Sequence, residues 1–392
     1  MTNVNRSLQH AVGLAAALLV VAAMALDASS QEGGSADAGW NPRDVARYLD
    51  ARMEIWLDAG TPLRTGDAAT SCVSCHTTLP YAMSRPILRH AMGANAPTPL
   101  ERRLLQQVIE RVETYADHEL LYEFNEAKKV ESRGTEAVLN ALILTAADGG
   151  VSDHATHLAF ARLWETQRPD GAWDWLQFGL EPFESVEAVY HGAVLAALAV
   201  GAGGSDATSM KPAASAGVEK LIGYLRATFT ERTLFNRTWV LLASTRLEGL
   251  LTEAEQEDLL EELRRHQRHD GGWSLWSFGG WRWGGAEEPF ESPGELDEAL
   301  LAESDGYATG LVVHALREAG VAVSHPVVDR GLKWLLANQR AVAVDDESPL
   351  AWRAHSLNFD REHGGDKGEA VRRLFMSDLA TSLAVLALAD LD

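Results

Sequence analysis

The chain has 392 residues and only two cysteines. Both lie in one short stretch, C-V-S-C-H at residues 72–76. Two cysteines that close together enclose too small a loop to staple a fold. No second pair exists to complete a four-ligand structural zinc site. Positive charge is also scarce: 34 Lys and Arg stand against 56 Asp and Glu, a formal net charge of −22. That balance excludes nucleic acid as a partner, because binding phosphates takes Lys and Arg. It likewise excludes docking on anionic lipid, and leaves solubility as the use of the acidic surface. After residue 26 no apolar run is long enough to span a bilayer. No stretch reads as a convincing strand.

What is present begins with an export signature. "MTNVNRSLQH" carries one Arg and no acid, and the apolar run "AVGLAAALLVVAAMAL" follows at 11–26. Small and polar residues come next, completing the pattern of a secretory signal over 1–30. Sixteen apolar residues are few for an anchor, and no cysteine follows for lipid attachment. Residues 31–39 read as a Gly/Ser/Ala/Asp linker. The mature protein is expected to be soluble, and periplasmic or otherwise exported.

From residue 41 the periodicity is helical. Asn41 caps "NPRDVARYLDARMEIWLDAG", with Pro42 at its first position. Thr98 and Glu101 form a capping box for the next long helix. Beyond residue 98 nearly all-apolar helices (133–148, 185–201, 232–249, 305–319, 376–391) alternate with amphipathic ones (98–119, 154–167, 213–229, 252–269, 324–339). A helix apolar all round is buried on all sides, and an amphipathic one covers it. Two concentric rings of helices follow from that alternation.

An internal repeat supports the rings. "WETQRPDGAWDW" at 164–175 recurs as "RHQRHDGGWSLW" at 265–276, which places Gln167 and Gln267, Gly171 and Gly271, and Trp173 and Trp273 in register. The Asp-Gly pair makes a turn. Gln and Trp tie helix end to loop. "WLLANQRAVAVDDESPLAW" at 334–352 is a degenerate third copy. These residues resemble the Q-x-x-x-G-x-W repeat of the squalene–hopene cyclase and terpene-cyclase family, which includes the protein prenyltransferases. The resemblance covers 98–392 and implies an all-α fold, an α/α toroid. It does not extend to chemistry. The acid motif D-x-D-D of the cyclases is absent, and the toroid segment has no cysteine for a prenyltransferase zinc set. Folds host many activities, and acid-initiated cyclisation is not expected.

C-x-x-C-H itself is the attachment signature of c-type haem. Two thiols reach the porphyrin vinyls, and the adjacent imidazole falls under the iron. One covalent haem c is therefore expected, with Cys72 and Cys75 as attachment sites and His76 as proximal ligand, on a segment spanning 40–97. The alternatives are weaker, since a thioredoxin-type dithiol needs a strand–helix context. For the sixth iron position Met83, Met92, Met53 and His90 are candidates, as is an open site. Met83 follows His76 on the same helix and needs a bend, which Pro80 permits.

Polar clusters open the apolar helices: Arg133 and Glu136, Glu184 and Glu187, Asn236 and Arg237, Asp305 and Tyr307, Ser377 and Asp378. Ordinary N-capping accounts for them. In parallel inner helices they would also ring one mouth of a cavity. Asp305 and Tyr307 are the candidate catalytic pair, whereas His191 reads as a core histidine. The segment 277–303 is a Gly-, Trp- and acid-rich insertion that shares "EPFES" (288–292) with 181–185. In both places the motif reads as a loop anchor.

Two readings of function follow. In one, a haem-dependent redox protein acts on an apolar molecule of isoprenoid type held by the toroid. In the other, the protein is an electron-transfer or gas-sensing module that uses the toroid to dock a redox partner.

Overall fold

The structure is a computed structural model that describes residues 40–58, 70–115, 125–147, 153–182, 184–207, 213–281, 302–355 and 374–391. The expected signal (1–30), the linker (31–39) and most of the 277–303 insertion lie outside them. Residues from Trp40 onward fall in one compact unit. Helices α1 (Pro42–Asp58) and α2 (Thr78–Ala91) belong to that same unit. The sequence reading gives these residues a haem-bearing segment of their own, 40–97.

Ten more helices follow: α3 (Pro99–Glu113), α4 (Glu126–Ala146), α5 (Asp153–Glu165), α6 (Ala188–Ala207), α7 (Ala213–Ala227), α8 (Leu234–Ser244), α9 (Glu253–His266), α10 (Gly306–Glu318), α11 (Pro326–Ala337) and α12 (Phe375–Leu388). The described residues add two short 3-10 turns (Phe229–Glu231 and Leu275–Phe278), two isolated bridges and one two-stranded antiparallel ladder, β1 (Arg340–Ala341) with β2 (Leu350–Ala351). The protein is all-α.

The alternation of apolar and amphipathic helices is reproduced in burial. In α10 and α12 nearly every residue is buried, whereas α9 buries only Leu259 and Leu263. The buried helices pack in a cyclic order: α2 on α4, α4 on α6, α6 on α8, α8 on α10, α10 on α12, and α12 back on α2. The other six lie against them, α1 on α2, α3 and α5 on α4, α7 on α6, α9 on α8 and α11 on α10. The sequence reading counted five buried helices, and α2 is the sixth member of the cycle.

Local chemistry sets the helix ends. Thr98 and Glu101 make the reciprocal capping box, and the Asn41 side chain accepts from the Arg43 N–H. Two of the repeats are built alike. The Gln167 amide donates to the Gly171 carbonyl and to that of Gly217 at the start of α7. The Gln267 amide donates to Gly271 and to Val327 at the start of α11. Each Gln thus fastens the end of one outer helix to the beginning of the next. The indole N–H groups of Trp173, Trp273 and the third-copy Trp352 donate to the Leu163, Leu263 and Leu335 carbonyls at 2.8, 2.8 and 2.9 Å. Gly171 and Gly271 sit at φ +100 and +95, which favours glycine.

A buried ion pair ties α1, which lies against the cycle, to its member α12. Arg52 of α1 donates from Nε to Asp378 of α12 at 2.9 Å, and both side chains are at most 2% exposed. Tyr48 and Thr77 hydroxyls also donate to that carboxylate, at 2.8 and 2.7 Å. Burial pushes the Asp378 carboxyl up, and Arg52 and the two hydroxyls pull the other way. The Ser382 hydroxyl donates to the Pro80 carbonyl at 2.8 Å and joins α12 to α2 a second time.

Candidate functional site

The C-V-S-C-H stretch forms the turn that enters α2. Its spacer Ser74 does the capping: the Ser74 hydroxyl accepts from the His76 and Thr77 N–H groups at 3.0 and 3.2 Å. The Ser74 N–H donates to the Thr78 hydroxyl. Cys75 and His76 are thereby held at the start of the helix, whose first N–H groups otherwise lack partners. The Trp56 indole donates to the Cys72 carbonyl at 2.9 Å, and Arg111 reaches Thr70 at 3.2 Å. The turn is tied to both α1 and α3.

The two thiols are not bridged. Burial pushes the Cys72 thiol up to about 11, partly offset by Arg111. Burial, and then the Glu184 carboxylate, hold the Cys75 thiol well above its ordinary range. A reactive dithiol needs the reverse shift, so this environment opposes thioredoxin-like chemistry.

His76 is buried. Phe375, the first residue of α12, stacks on its ring at 4.5 Å between centroids, tilted 26°. Trp56 lies against Phe375 at 5.8 Å. The Cys75 Sγ is 3.2 Å from His76 Nδ1. On the other side of the imidazole, Nε2 faces Glu184 Oε2 at 3.7 Å. Cys75, His76 and Glu184 thus form a group with the donors to hold a metal ion. Glu184 reaches this position because its backbone is pinned in a tight antiparallel bridge to Leu180.

Sequence reasoning did not assign Glu184 to this site. The residue sits 184 − 76 = 108 positions from His76, so no local spacing joins them. The one available signal is "EPFES" at 181–185, which reads as a loop anchor and does anchor the Leu180 bridge. Among the sixth-ligand candidates, Met83 is half-buried on α2, seven residues past His76 and so about 10 Å along the helix axis. His90 is exposed and Met92 caps the far end of the same helix. Met53 is fully buried in α1.

The polar residues at the starts of the buried helices act mainly as ties. Glu136 takes a two-pronged contact from Arg111 at 2.7 and 2.8 Å. Arg237 pairs with Glu262 on α9 at 2.6 Å. Glu187 accepts from the Thr233 hydroxyl at 2.6 Å and from the Asn236 amide at 2.7 Å. With the Asn236 nitrogen so engaged, its oxygen accepts from His191 Nδ1 at 3.3 Å. Burial holds His191 down to about 3, hence neutral.

The candidate pair divides. Asp305 caps α10 through the Ala308 N–H at 3.0 Å, and its second oxygen accepts from Leu275 at 2.6 Å. Burial nevertheless pushes it up to about 7. Tyr307 is fully buried against Phe235, with 5.9 Å between ring centroids. Its hydroxyl and the Trp239 indole N–H are within reach of one another, and neither finds a partner of good geometry. Phe235 also meets His191 at 5.3 Å and Trp281 at 5.9 Å. Rings from α6, α8 and α10 therefore pack on one another, and Tyr307 among them lies near enough to Cys75 to feel its charge.

Among the described residues no helix is long and apolar enough to cross a membrane. No protein-family model matches this chain, and no curated protein matches it either.

Proposed function

We propose that this protein is an exported, monohaem c-type redox protein and that the cyclic packing of its helices is an α/α toroid. The observation that carries the reading is the state of C-V-S-C-H. Two unbridged thiols and a buried imidazole are set in one capped turn at the head of a ring helix. That donor set fits the group: Cys72 and Cys75 would carry the thioethers and His76 the iron. When bound, the haem supplies one-electron chemistry, or a face for a small ligand.

The surrounding residues have defined tasks. Phe375 fixes the plane of the His76 ring. Ser74 and Trp56 hold the turn, and Arg111 with Glu136 braces it from α3 and α4. Burial keeps both thiols protonated, so the turn is inert as a disulfide exchanger. The cluster of rings around Phe235 supports electron transfer, or binding of a small molecule, over conversion of a bulky isoprenoid. A redox partner protein then docks on the outside of the ring.

The test is expression with export in a host that has haem-attachment machinery. The expected result is a haem that stays with the chain through denaturation and is absent from the Cys72→Ala/Cys75→Ala variant. A wild-type chain with no covalent haem refutes the proposal.

A further inference from the structure

We infer that the folded chain, when it carries no haem, holds a single zinc-class divalent ion on Cys75, His76 and Glu184. The inference goes beyond the haem reading and does not depend on it, because the ion is measured on protein without haem.

The three residues offer one ligand atom each: a sulfur, an imidazole nitrogen and a carboxylate oxygen. All three atoms lie within 4.8 Å of one another. Zinc bonds of about 2.3 Å to sulfur and about 2.0–2.2 Å to nitrogen and oxygen set tetrahedral neighbours roughly 3.4–3.6 Å apart. The Cys75 Sγ stands 3.2 Å from His76 Nδ1, and Glu184 Oε2 stands 3.7 Å from His76 Nε2. That is the spacing of ligands around one ion, and it calls for no cavity of its own. The two contacts use opposite nitrogens of one ring, so binding swings the Cys75 sulfur towards the Nε2 edge by about an ångström. Cys75 is the half-buried member of the three and has that freedom.

The ties already described place the donors. Ser74 caps the turn that carries Cys75 and His76, and Phe375 stacks on the imidazole. The Glu184 backbone bonds to Leu180 and Phe178. None of these ties uses a ligand atom, so all of them survive coordination. The two cysteines are not equivalent. Cys72 lies towards Arg111 and Glu136, whereas Cys75 lies towards Glu184. The ligand set takes one thiol of the pair and leaves Cys72 out.

Donor chemistry selects the metal. A thiolate, an imidazole and a carboxylate suit zinc, while calcium and magnesium take oxygen alone. Two anionic ligands cancel the double charge of the ion, as a buried site requires. Three protein ligands leave a fourth position for water. Binding sends the thiol proton to solvent and moves no electron. Cys75 and His76 also belong to the haem reading, so ion and covalent haem exclude one another. A chain that folds with its thiols unused is sealed by the metal, which ties the turn before α2 to the segment leading into α6.

The experiment uses the full chain made without haem machinery, reduced and stripped of metal. Zinc and cobalt(II) are titrated into wild type, Cys72→Ala, Cys75→Ala and Glu184→Gln, with wild type in urea as the unfolded reference. Wild type is expected to bind one ion, with a thiolate charge-transfer band on cobalt, and Cys72→Ala to match it. Outer partners of such sites contribute roughly 10–100-fold in affinity, so loss of a ligand in Cys75→Ala or Glu184→Gln should weaken binding by about a hundredfold or more. Zinc should also slow alkylation of Cys75 in wild type and leave that of Cys72 unchanged, a readout that needs no variant to fold.

Wild type that binds no stoichiometric ion overturns the inference. So does equal weakening in Cys72→Ala and Cys75→Ala, which makes the site a dithiol. A Glu184→Gln affinity equal to wild type, or binding as tight in urea as in the fold, overturns it as well. Covalent haem on exported protein is decided by a separate measurement and moves none of these outcomes.

Discussion

Removing the Asp378 carboxylate is the sharpest perturbation of the fold. It accepts from Arg52 and Tyr48 on one oxygen and from Thr77 on the other. In Asp378→Ala the Arg52 guanidinium, 2% exposed, is left buried without its counter-charge. Breaking a buried pair from one side costs about 3–5 kcal/mol. Orphaning the two hydroxyls adds to this, though not additively. A total near 5 kcal/mol, with a urea slope of about 3 kcal/mol/M for a chain of this size, lowers the unfolding midpoint by roughly 1.5 M. Asp378→Asn keeps the shape and two acceptor contacts, so about half that loss is expected. The double variant Asp378→Leu/Arg52→Met exchanges the pair for apolar volume. It is expected to be more stable than Asp378→Ala, since well-packed replacements of buried pairs are often neutral. Urea titrations followed by circular dichroism measure all three. An Asp378→Ala midpoint within about 0.3 M of wild type, or a double variant no better than the single, refutes the reasoning.

Further outcomes follow from single residues. Gly171→Ala places a Cβ 2.3 Å from the Lys220 carbonyl oxygen at φ +100, whereas Gly320→Ala at φ +85 meets nothing within 4 Å; the first should cost several times the second, which carries only about 1 kcal/mol of backbone strain. Equal midpoints for the two would show that the close approach in the repeat turn is unimportant. His191, held neutral to about pH 3 in the fold against 6.5 unfolded, contributes stability that is complete above pH 6.5 and lost as pH falls from there towards 3. The full span is up to about 5 kcal/mol, so His191→Gln should flatten the acid limb of a stability–pH curve, and parallel curves would contradict the neutral assignment. In protein made without haem machinery, a Cys72 thiol raised to about 11 is about a thousandth ionised at pH 8. Its alkylation should be about a hundredfold slower than in denaturant, and equal rates would refute the burial argument.

The legible part of this structure is the part written in repeats. The Gln–Gly–Trp spacing located the turns, and alternating apolar and amphipathic stretches separated buried helices from covering ones. The degenerate third copy proved functional in packing, because Trp352 reaches Leu335 as Trp173 reaches Leu163. What the sequence hid depends on distance along the chain. α2 carries no repeat signature, and its amphipathic pattern looks like that of any short helix, so its place between α12 and α4 has no local trace. Glu184 is hidden for the same reason: its meeting with His76 is made by two hairpins packing side by side. Asp305 and Glu136 stand at the helix starts where the sequence places them, and there Asp305 caps α10 while Glu136 takes the Arg111 guanidinium.

The seat of α2 has a consequence for how the molecule is made. Its neighbours in the cycle are α4 and α12, and α12 is the last of the described helices. During synthesis Cys72 emerges about three hundred residues before Asp378. Until α12 arrives, Thr77, Arg52 and Tyr48 lack their common acceptor and His76 lacks the Phe375 ring. The cysteine turn thus has an interval in which it is out of its socket, its thiols at their ordinary acidity and open to an enzyme. Arrival of the C-terminal helix ends that interval. Any modification of these thiols that needs more room than the finished cycle allows has a deadline set by chain length and synthesis rate, and slowing delivery of α12 extends it.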